Sequence, residues 1–246
     1  MRGIKITGII HIPSSFNFLT LVFSFVKTRK PTNGIIANIG IFVKCNDNFI
    51  LLPLGFAPTK TTMLSKYLEV TDTIYVSIAG TRLLGPMMVM NNNGIIVSYI
   101  ASDEEINVLK EKSRLTVERL KTKYTAIGNL IATNDHGAIV SPLCSDVKTQ
   151  IQDILGVSVT SMNISGFIQT GAMIVSTNKG AAVYPNASDD EIKTISDILN
   201  VNVEPLTING GIPFLASGII ANSKSVVVGN MTSGPELIML SSAFNV

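Results

Sequence analysis

Apolar and polar positions follow one recurring order along this chain. Two short apolar runs flank a polar turn. A stretch with apolar residues three and four apart comes next, and a third short apolar run closes the unit. Residues 126–142, AIGNLIATNDHGAIVSP, show the first half most plainly. Ile127, Leu130 and Ile131 supply the first run, Asn134-Asp135-His136-Gly137 is turn chemistry, and Ala138-Ile139-Val140 is the second run. The pattern predicts a strand, a turn and a second strand.

The same order recurs at residues 84–94 and 170–180, and in all three copies two glycines stand nine residues apart: Gly85 and Gly94, Gly128 and Gly137, Gly171 and Gly180. Two weaker copies begin at Gly40, with Phe49 at the second glycine position, and at Ala216, with Ser225 there. Asn46, Asn91, Asn134 and Asn222 lie six residues after their starts, and the fourth copy moves its Asn to Asn178. Starts at 40, 85, 128, 171 and 216 are 45, 43, 43 and 45 residues apart. Self-similarity at that period indicates a propeller or an array of supersecondary units.

The second half of each unit reads as helix then strand. Residues 59–68 carry Met63, Leu64, Tyr67 and Leu68 toward a core, and residues 73–78 alternate as a strand. Ser102-x-x-Glu105 and Ser188-x-x-Glu191 are capping boxes. A helix from Ser145 has its stripe at Val147, Ile151, Ile154 and Leu155, and another has Ile192, Ile195, Ile198 and Leu199. Gly156 and Asn200 are placed to stop these two helices as left-handed caps. Residues 237–244 fit either a strand or a short helix. The expected architecture is α+β: five β-β-α-β units at about 38–80, 81–124, 125–168, 169–213 and 214–246, in a single domain over residues 34–246. Such units bury their apolar faces only against neighbours, and five in a row can close and remove the exposed sheet edges.

Composition changes this picture in two places. Residues 1–33 hold Arg2, Lys5, Lys27, Arg29 and Lys30 and no acid, and they lack the repeat. They are expected to be an extension outside the fold. Their apolar residues 16–26 resemble the core of a signal peptide but are too few to span a bilayer about 30 Å thick, so no membrane partner is expected. Removing those five cations leaves 14 basic residues against 17 acidic ones. A body with that balance is not held mainly by phosphate contacts. The densest basic patch, Lys110 to Lys123, is interleaved with Glu111 and Glu118 and fits a solvated face.

Cys45 and Cys144 fall in different units without motif spacing, which fits free thiols in a reducing compartment. His11 and His136 are the two histidines, one in the extension and one in a turn. Neither is placed to activate a thiolate. No metal cluster, phosphate loop or nucleophile elbow appears, so no cofactor, metal or small-molecule substrate is expected.

Several strings resemble the archaeal and eukaryotic translation initiation factor 6 family, ribosome anti-association factors with the pentein fold. They are Ser77-Ile78-Ala79-Gly80-Thr81-Arg82-Leu83-Leu84-Gly85, Ala126-Ile127-Gly128-Asn129, Asn134-Asp135 and Gly229-Asn230-Met231-Thr232-Ser233-Gly234-Pro235-Glu236-Leu237. The resemblance implies a pentein-type α/β propeller, five units around a pseudo-fivefold axis. It implies a non-enzymatic, cytoplasmic monomer that binds the intersubunit face of the large ribosomal subunit. The contact there would be a ribosomal protein near the sarcin–ricin loop, with local rRNA, blocking the small subunit. Guanidine-modifying enzymes share that fold, and a membrane-tethered interaction module is a third reading. Asn129 matches the Asn of the family's subunit contact. Arg82 and Asn38, beside the Gly85 and Gly40 starts, are the companion candidates for ribosome binding.

Overall fold

A computed structural model describes residues 37–246. The expected extension at 1–33, and residues 34–36, lie outside the described part. Unit one comprises α1 (Ile39–Phe42), β1 (Lys44–Cys45), β2 (Phe49–Pro53), α2 (Pro58–Leu68) and β3 (Asp72–Val76). Unit two comprises α3 (Leu84–Met87), β4 (Met88–Met90), β5 (Gly94–Val97), α4 (Asp103–Ser113) and β6 (Thr116–Arg119). Unit three runs through a 3-10 turn (Ile127–Asn129), β7 (Ile131–Thr133), β8 (Gly137–Val140), a second 3-10 segment (Pro142–Val147), α5 (Lys148–Leu155) and β9 (Ser158–Ser161). Unit four has α6 (Thr170–Met173), β10 (Ile174–Ser176), β11 (Gly180–Val183), α7 (Asp189–Leu199) and β12 (Asn202–Pro205). Unit five has a 3-10 turn (Leu215–Ser217), β13 (Ile219–Ala221), β14 (Val226–Val228) and α8 (Gly234–Phe244).

In units one to four the first two strands form an antiparallel hairpin, and the helix carries the chain back so that the third strand pairs parallel to the second. The fifth sheet has two strands, β13 and β14, because residues 234–244 form α8 and no third strand follows among the described residues. Both alternatives for that segment were compatible with its apolar run. Ser233 and Glu236 decide it by forming a third capping box, and Pro235 suits the first turn.

The five starts differ from expectation. Where the pattern reads as strand, each start lies in one turn of α or 3-10 helix before its first strand. The reason is packing between units. A Cβ on Gly85 would overlap the carbonyl oxygen of Gly40, one on Gly128 that of Gly85, one on Gly171 that of Gly128, and one on Gly40 that of Ala216. Backbone rests on backbone around the axis, and the tight turn brings each carbonyl to the next glycine. In unit three, helix α5 starts at Lys148 rather than Ser145; Pro142 and a non-helical Cys144 keep the preceding residues in a 3-10 segment. Gly156 and Asn200 are left-handed caps as expected, at φ 66° and 50°. Glu69 and Arg114 hold the same cap conformation at the ends of α2 and α4.

The core is five clusters, each shared by two adjacent units. Phe49, Leu51 and Ile74 of unit one pack with Leu84, Ile95 and Leu109 of unit two. Val89 and Ile96 pack with Ile139's neighbours Ala138 and Val140 and with Ile151 and Leu155. Ala132 and Ile139 meet Ile174, Ile195 and Leu199. Ala182 and Leu206 meet Ile219, Leu237 and Phe244. Ile220 and Val227 of unit five meet Ile50, Leu64 and Leu68 of unit one, which closes the ring. No unit buries its apolar face alone, so burial itself enforces closure. The chain therefore has the pentein-type arrangement of five small sheets and their helices around one axis.

Candidate binding face around the ring axis

Because the units are in register, residues at one offset from each start form layers along the axis. One residue after the start, Ile41, Pro86, Asn129, Ala172 and Ser217 line the mouth of a funnel of about 760 Å³. Four after it, Lys44, Val89, Ala132, Val175 and Ile220 line an inner cavity of about 80 Å³. Five after it, Cys45, Met90, Thr133, Ser176 and Ala221 lead into a third space of about 40 Å³ at the opposite end. The axis is thus an interrupted channel, wide at one face.

The narrow end is closed by hydrogen bonds between turns. Asn46 Nδ2 donates to the Asn91 carbonyl at 3.2 Å, Asn91 Nδ2 to the Asn134 carbonyl at 3.2 Å, Asn134 Nδ2 to the Thr177 carbonyl at 3.0 Å and Asn222 Nδ2 to the Asn46 carbonyl at 3.3 Å. In the fourth unit Thr177, not Asn178, holds the equivalent position. Its hydroxyl accepts from the Lys179 and Gly180 N–H groups as Asn46 Oδ1 does from Asn48 and Phe49. Asn178 falls one place later, in a second polar ring with Asp47, Asn92, Asp135 and Ser223. There Asn92 Nδ2 donates to Asp47 at 2.8 Å and Asp135 at 2.6 Å, and Asn178 Nδ2 to Asp135 at 2.5 Å. The Ser223 N–H and hydroxyl donate to Asp47 at 2.6 and 2.9 Å. All four oxygens of the two carboxylates accept protein hydrogen bonds, so this end is sealed by its own donors.

The wide face is built differently. Leu83, Phe167 and Phe214 join Ile41 and Pro86 on its wall, 37%, 39% and 45% exposed for the first three. Three interunit turns carry these side chains. Each has consecutive left-handed residues: Ala79-Gly80, Ser165-Gly166 and Asn209-Gly210. A capping-box glutamate of the following helix grips each turn. Glu105 accepts from the Ser77 hydroxyl at 2.8 Å and from the Ala79 and Gly80 N–H groups at 2.8 and 3.0 Å. Glu191 accepts from the Ser165 N–H at 2.7 Å. Glu236 accepts from Thr207 at 2.8 Å and from Gly210 and Gly211 at 3.0 and 2.9 Å. Burial would raise the pKa of each glutamate, but the capping serines Ser102, Ser188 and Ser233 together with these turn donors outweigh it and hold all three carboxyls below their ordinary value.

Asn129 sits at the mouth, half-buried, and its side-chain amide has no hydrogen-bond partner among the described residues; only its backbone N–H is engaged, to Ala126 at 3.0 Å. Arg82 is exposed, directly before the wall residue Leu83, and makes no ion pair with the described residues. Asn38 is the N-cap residue of α1 without a side-chain capping bond. Its offset from Gly40 is that of Leu83, Gln169 and Phe214 from their own starts, and these three line the funnel. The fold therefore puts Asn129 at the mouth and Arg82 and Asn38 next to or in register with wall positions. Reading the sequence alone missed the apolar wall, the grip of the glutamates on the turns, and Lys44. The last had a visible signal, a lysine where the other four units carry Val89, Ala132, Val175 and Ile220.

No hydrogen bond joins either thiol to a basic side chain among the described residues. Cys45 Sγ donates to the Ala221 carbonyl at 3.2 Å, and burial pushes its thiol up to about 12. Burial, then the nearby Asp146, push Cys144 up to about 11. His136 lies in the β7–β8 turn, its backbone N–H bound to Asn134 Oδ1 at 2.9 Å. No group of three or more His, Cys, Asp or Glu among the described residues is placed to hold a metal ion, and no described helix is long and apolar enough to cross a membrane.

A DDAH structure from Pseudomonas aeruginosa, complexed with citrulline, aligns over 81% of this chain and 87% of its own at a TM-score of 0.46 and 12% identity. That likeness is too distant to carry an argument. The translation initiation factor 6 of Cenarchaeum symbiosum is 49% identical over 208 residues, 84% of this chain and 94% of that relative. The factor of Nitrosopumilus maritimus is 48% identical over the same extent, and that of Methanocaldococcus jannaschii 37% over 221 residues, 87% of this chain and 96% of its own. The eIF-6 family's own sequence pattern matches residues 34–243. By that match and by these relatives, the chain belongs to the eIF-6 family, the translation initiation factor 6 proteins.

Proposed function

We propose that this protein binds the intersubunit face of the large ribosomal subunit through the wide face of its ring and prevents association with the small subunit. The observation that carries this reading is the Asn129 amide, held at the funnel mouth without a partner among the described residues. An amide with no partner among the described residues is free to bond an external surface, and Arg82, next to the wall residue Leu83, is suited to bidentate contact with carboxylate or phosphate. Asn38 belongs to the same face. The partner surface is a ribosomal protein near the sarcin–ricin loop with a local rRNA contact, and the protein acts as a cytoplasmic monomer. Family membership and the absence of a thiolate–base pair among the described residues support binding rather than catalysis. The test is co-sedimentation with purified large subunits, followed by addition of small subunits. Binding with suppressed joining is expected; a chain that leaves joining unaffected at saturating concentration sinks the reading.

A further inference from the structure

Lys44 stands alone in its layer of the channel. It lines both the funnel and the inner cavity, at their junction, in a ring otherwise made by Val89, Ala132, Val175 and Ile220. Its ammonium has no hydrogen bond or ion pair with the described residues, and residues 1–36 contain no Asp or Glu. Burial lowers its pKa, against a smaller raising effect of Cys45. Keeping an uncompensated cation among apolar side chains costs stability that an apolar residue would not. An anion entering the funnel removes that cost.

The walls select the kind of anion. Ile41, Leu83, Pro86, Phe167 and Phe214 surround the approach to Lys44, and no second cation among the described residues lines the funnel. Binding to a nucleic-acid backbone relies on several cations meeting successive phosphates. A single cation beneath an apolar collar instead fits one carboxylate at the tip of an apolar peptide segment, and the volume is that of ordinary ligand sites, about 300–1,000 Å³. We propose that the funnel receives a carboxylate of the large-subunit protein on which this face docks, an Asp or Glu side chain or a chain terminus, and that Lys44 pairs with it. This rests on the function proposed above.

Two measurements test it. Co-sedimentation compares the parent chain with K44M, K44R and N129A. K44M should bind large subunits about ten-fold or more weaker, as for truncating one member of a buried charge pair. K44R should keep most of the affinity, and K44M should melt no lower than the parent. Separately, the parent–subunit complex is treated with a water-soluble carbodiimide. The reagent activates a carboxylate, the neutral Lys44 amine attacks its carbonyl carbon, the urea leaves, and the nitrogen gives up a proton to form an amide. Peptide mass spectrometry should find Lys44 joined to a carboxylate of a ribosomal protein. Loss of binding in N129A with K44M unchanged and no such amide overturns the Lys44 proposal alone. Weakened K44M without the amide identifies an RNA phosphate, which forms none, and overturns the carboxylate. A parent chain that does not sediment with subunits overturns both readings together.

Discussion

The side-chain amide of Asn134 donates to the carbonyl of Leu199 at 2.8 Å, although the two lie 65 residues apart. The hairpin turn of one unit thereby holds the last turn of the next unit's helix. Asn91 does the same to Leu155 at 2.8 Å, and Asn222 to Leu68 at 2.7 Å across the closure of the ring. Asn134 is 4% exposed, and its Oδ1 accepts from the His136 and Gly137 N–H groups. Replacing Asn134 by Ala strands two carbonyls and two N–H groups. The expected loss is about 3 kcal/mol, since each buried group left unsatisfied costs about 1–3 kcal/mol and some recover water. Urea unfolding monitored by circular dichroism checks it; a loss below about 1 kcal/mol would show that the clamp contributes little.

Gly85→Ala should prevent closure at the junction of units one and two, because the added methyl falls on the Gly40 carbonyl, a backbone atom that cannot rotate away. A loss of about 4 kcal/mol or more, at the severe end for a single substitution, or insoluble protein is expected. Ala216→Gly, at the one start that already carries a methyl, should cost no more than about 1 kcal/mol. Melting temperatures of the two variants decide between this account and one in which the starts are interchangeable.

The three gripping glutamates predict an acid limb in stability. Their carboxyls titrate below the ordinary value of 4.5 in the fold. The unfolded chain therefore binds more protons between the folded and ordinary values. Stability is fully present above that window and is lost as pH falls through it. Glu236→Gln should flatten this limb and, at neutral pH, cost about 2 kcal/mol by turning an amide N–H₂ toward either the Gly211 N–H or the Ser233 and Gly210 N–H groups. Unfolding midpoints from pH 3 to 7 for parent and variant test it; parallel curves would contradict it.

Arg82→Ala and Asn129→Ala should each weaken large-subunit binding by about 1–3 kcal/mol, the range for truncating an interface hot spot. Folding stability should change little, since neither side chain is bonded within the described fold. Co-sedimentation titrations alongside thermal melts separate the two effects. Parent-like binding by both variants would move attention to the basic patch between Lys110 and Lys123.

Cys45 and Cys144 should react far more slowly than a free thiol with iodoacetamide at pH 8 in the native state. Burial holds both above that pH, so little thiolate is present. Mass spectrometry of the time course checks this, with full labelling expected in urea.

The repeat was legible in the sequence because its marks are local. A glycine nine residues before another, a turn Asn with its N–H-accepting oxygen, and Ser-x-x-Glu before an apolar stripe each act within a few residues, so spacing alone reveals them. Gly156 and Asn200 were legible as caps for the same reason. What spacing could not reveal was decided between units. The starts became helical turns because a neighbouring carbonyl presses on each glycine. Thr177 took the turn position and Asn178 the axial ring because the neighbouring turns supply Asp47 and Asp135 as acceptors. Glu105 and Glu191, evident as capping residues, and Glu236, whose capping box the structure revealed, also shape the wide face because closure delivers a left-handed turn to each carboxylate. Lys44 was visible as an oddity in an apolar run, but its setting exists only when five units meet: a channel is made of residues as far apart as Lys44 and Ile220, which no local pattern relates. The sequence by itself determined the unit, its count and the caps at Gly156 and Asn200, through short-range sterics and hydrogen bonding. The tertiary structure alone decided what faces the axis, because ring closure, driven by apolar faces that no single unit can bury, brings those residues together.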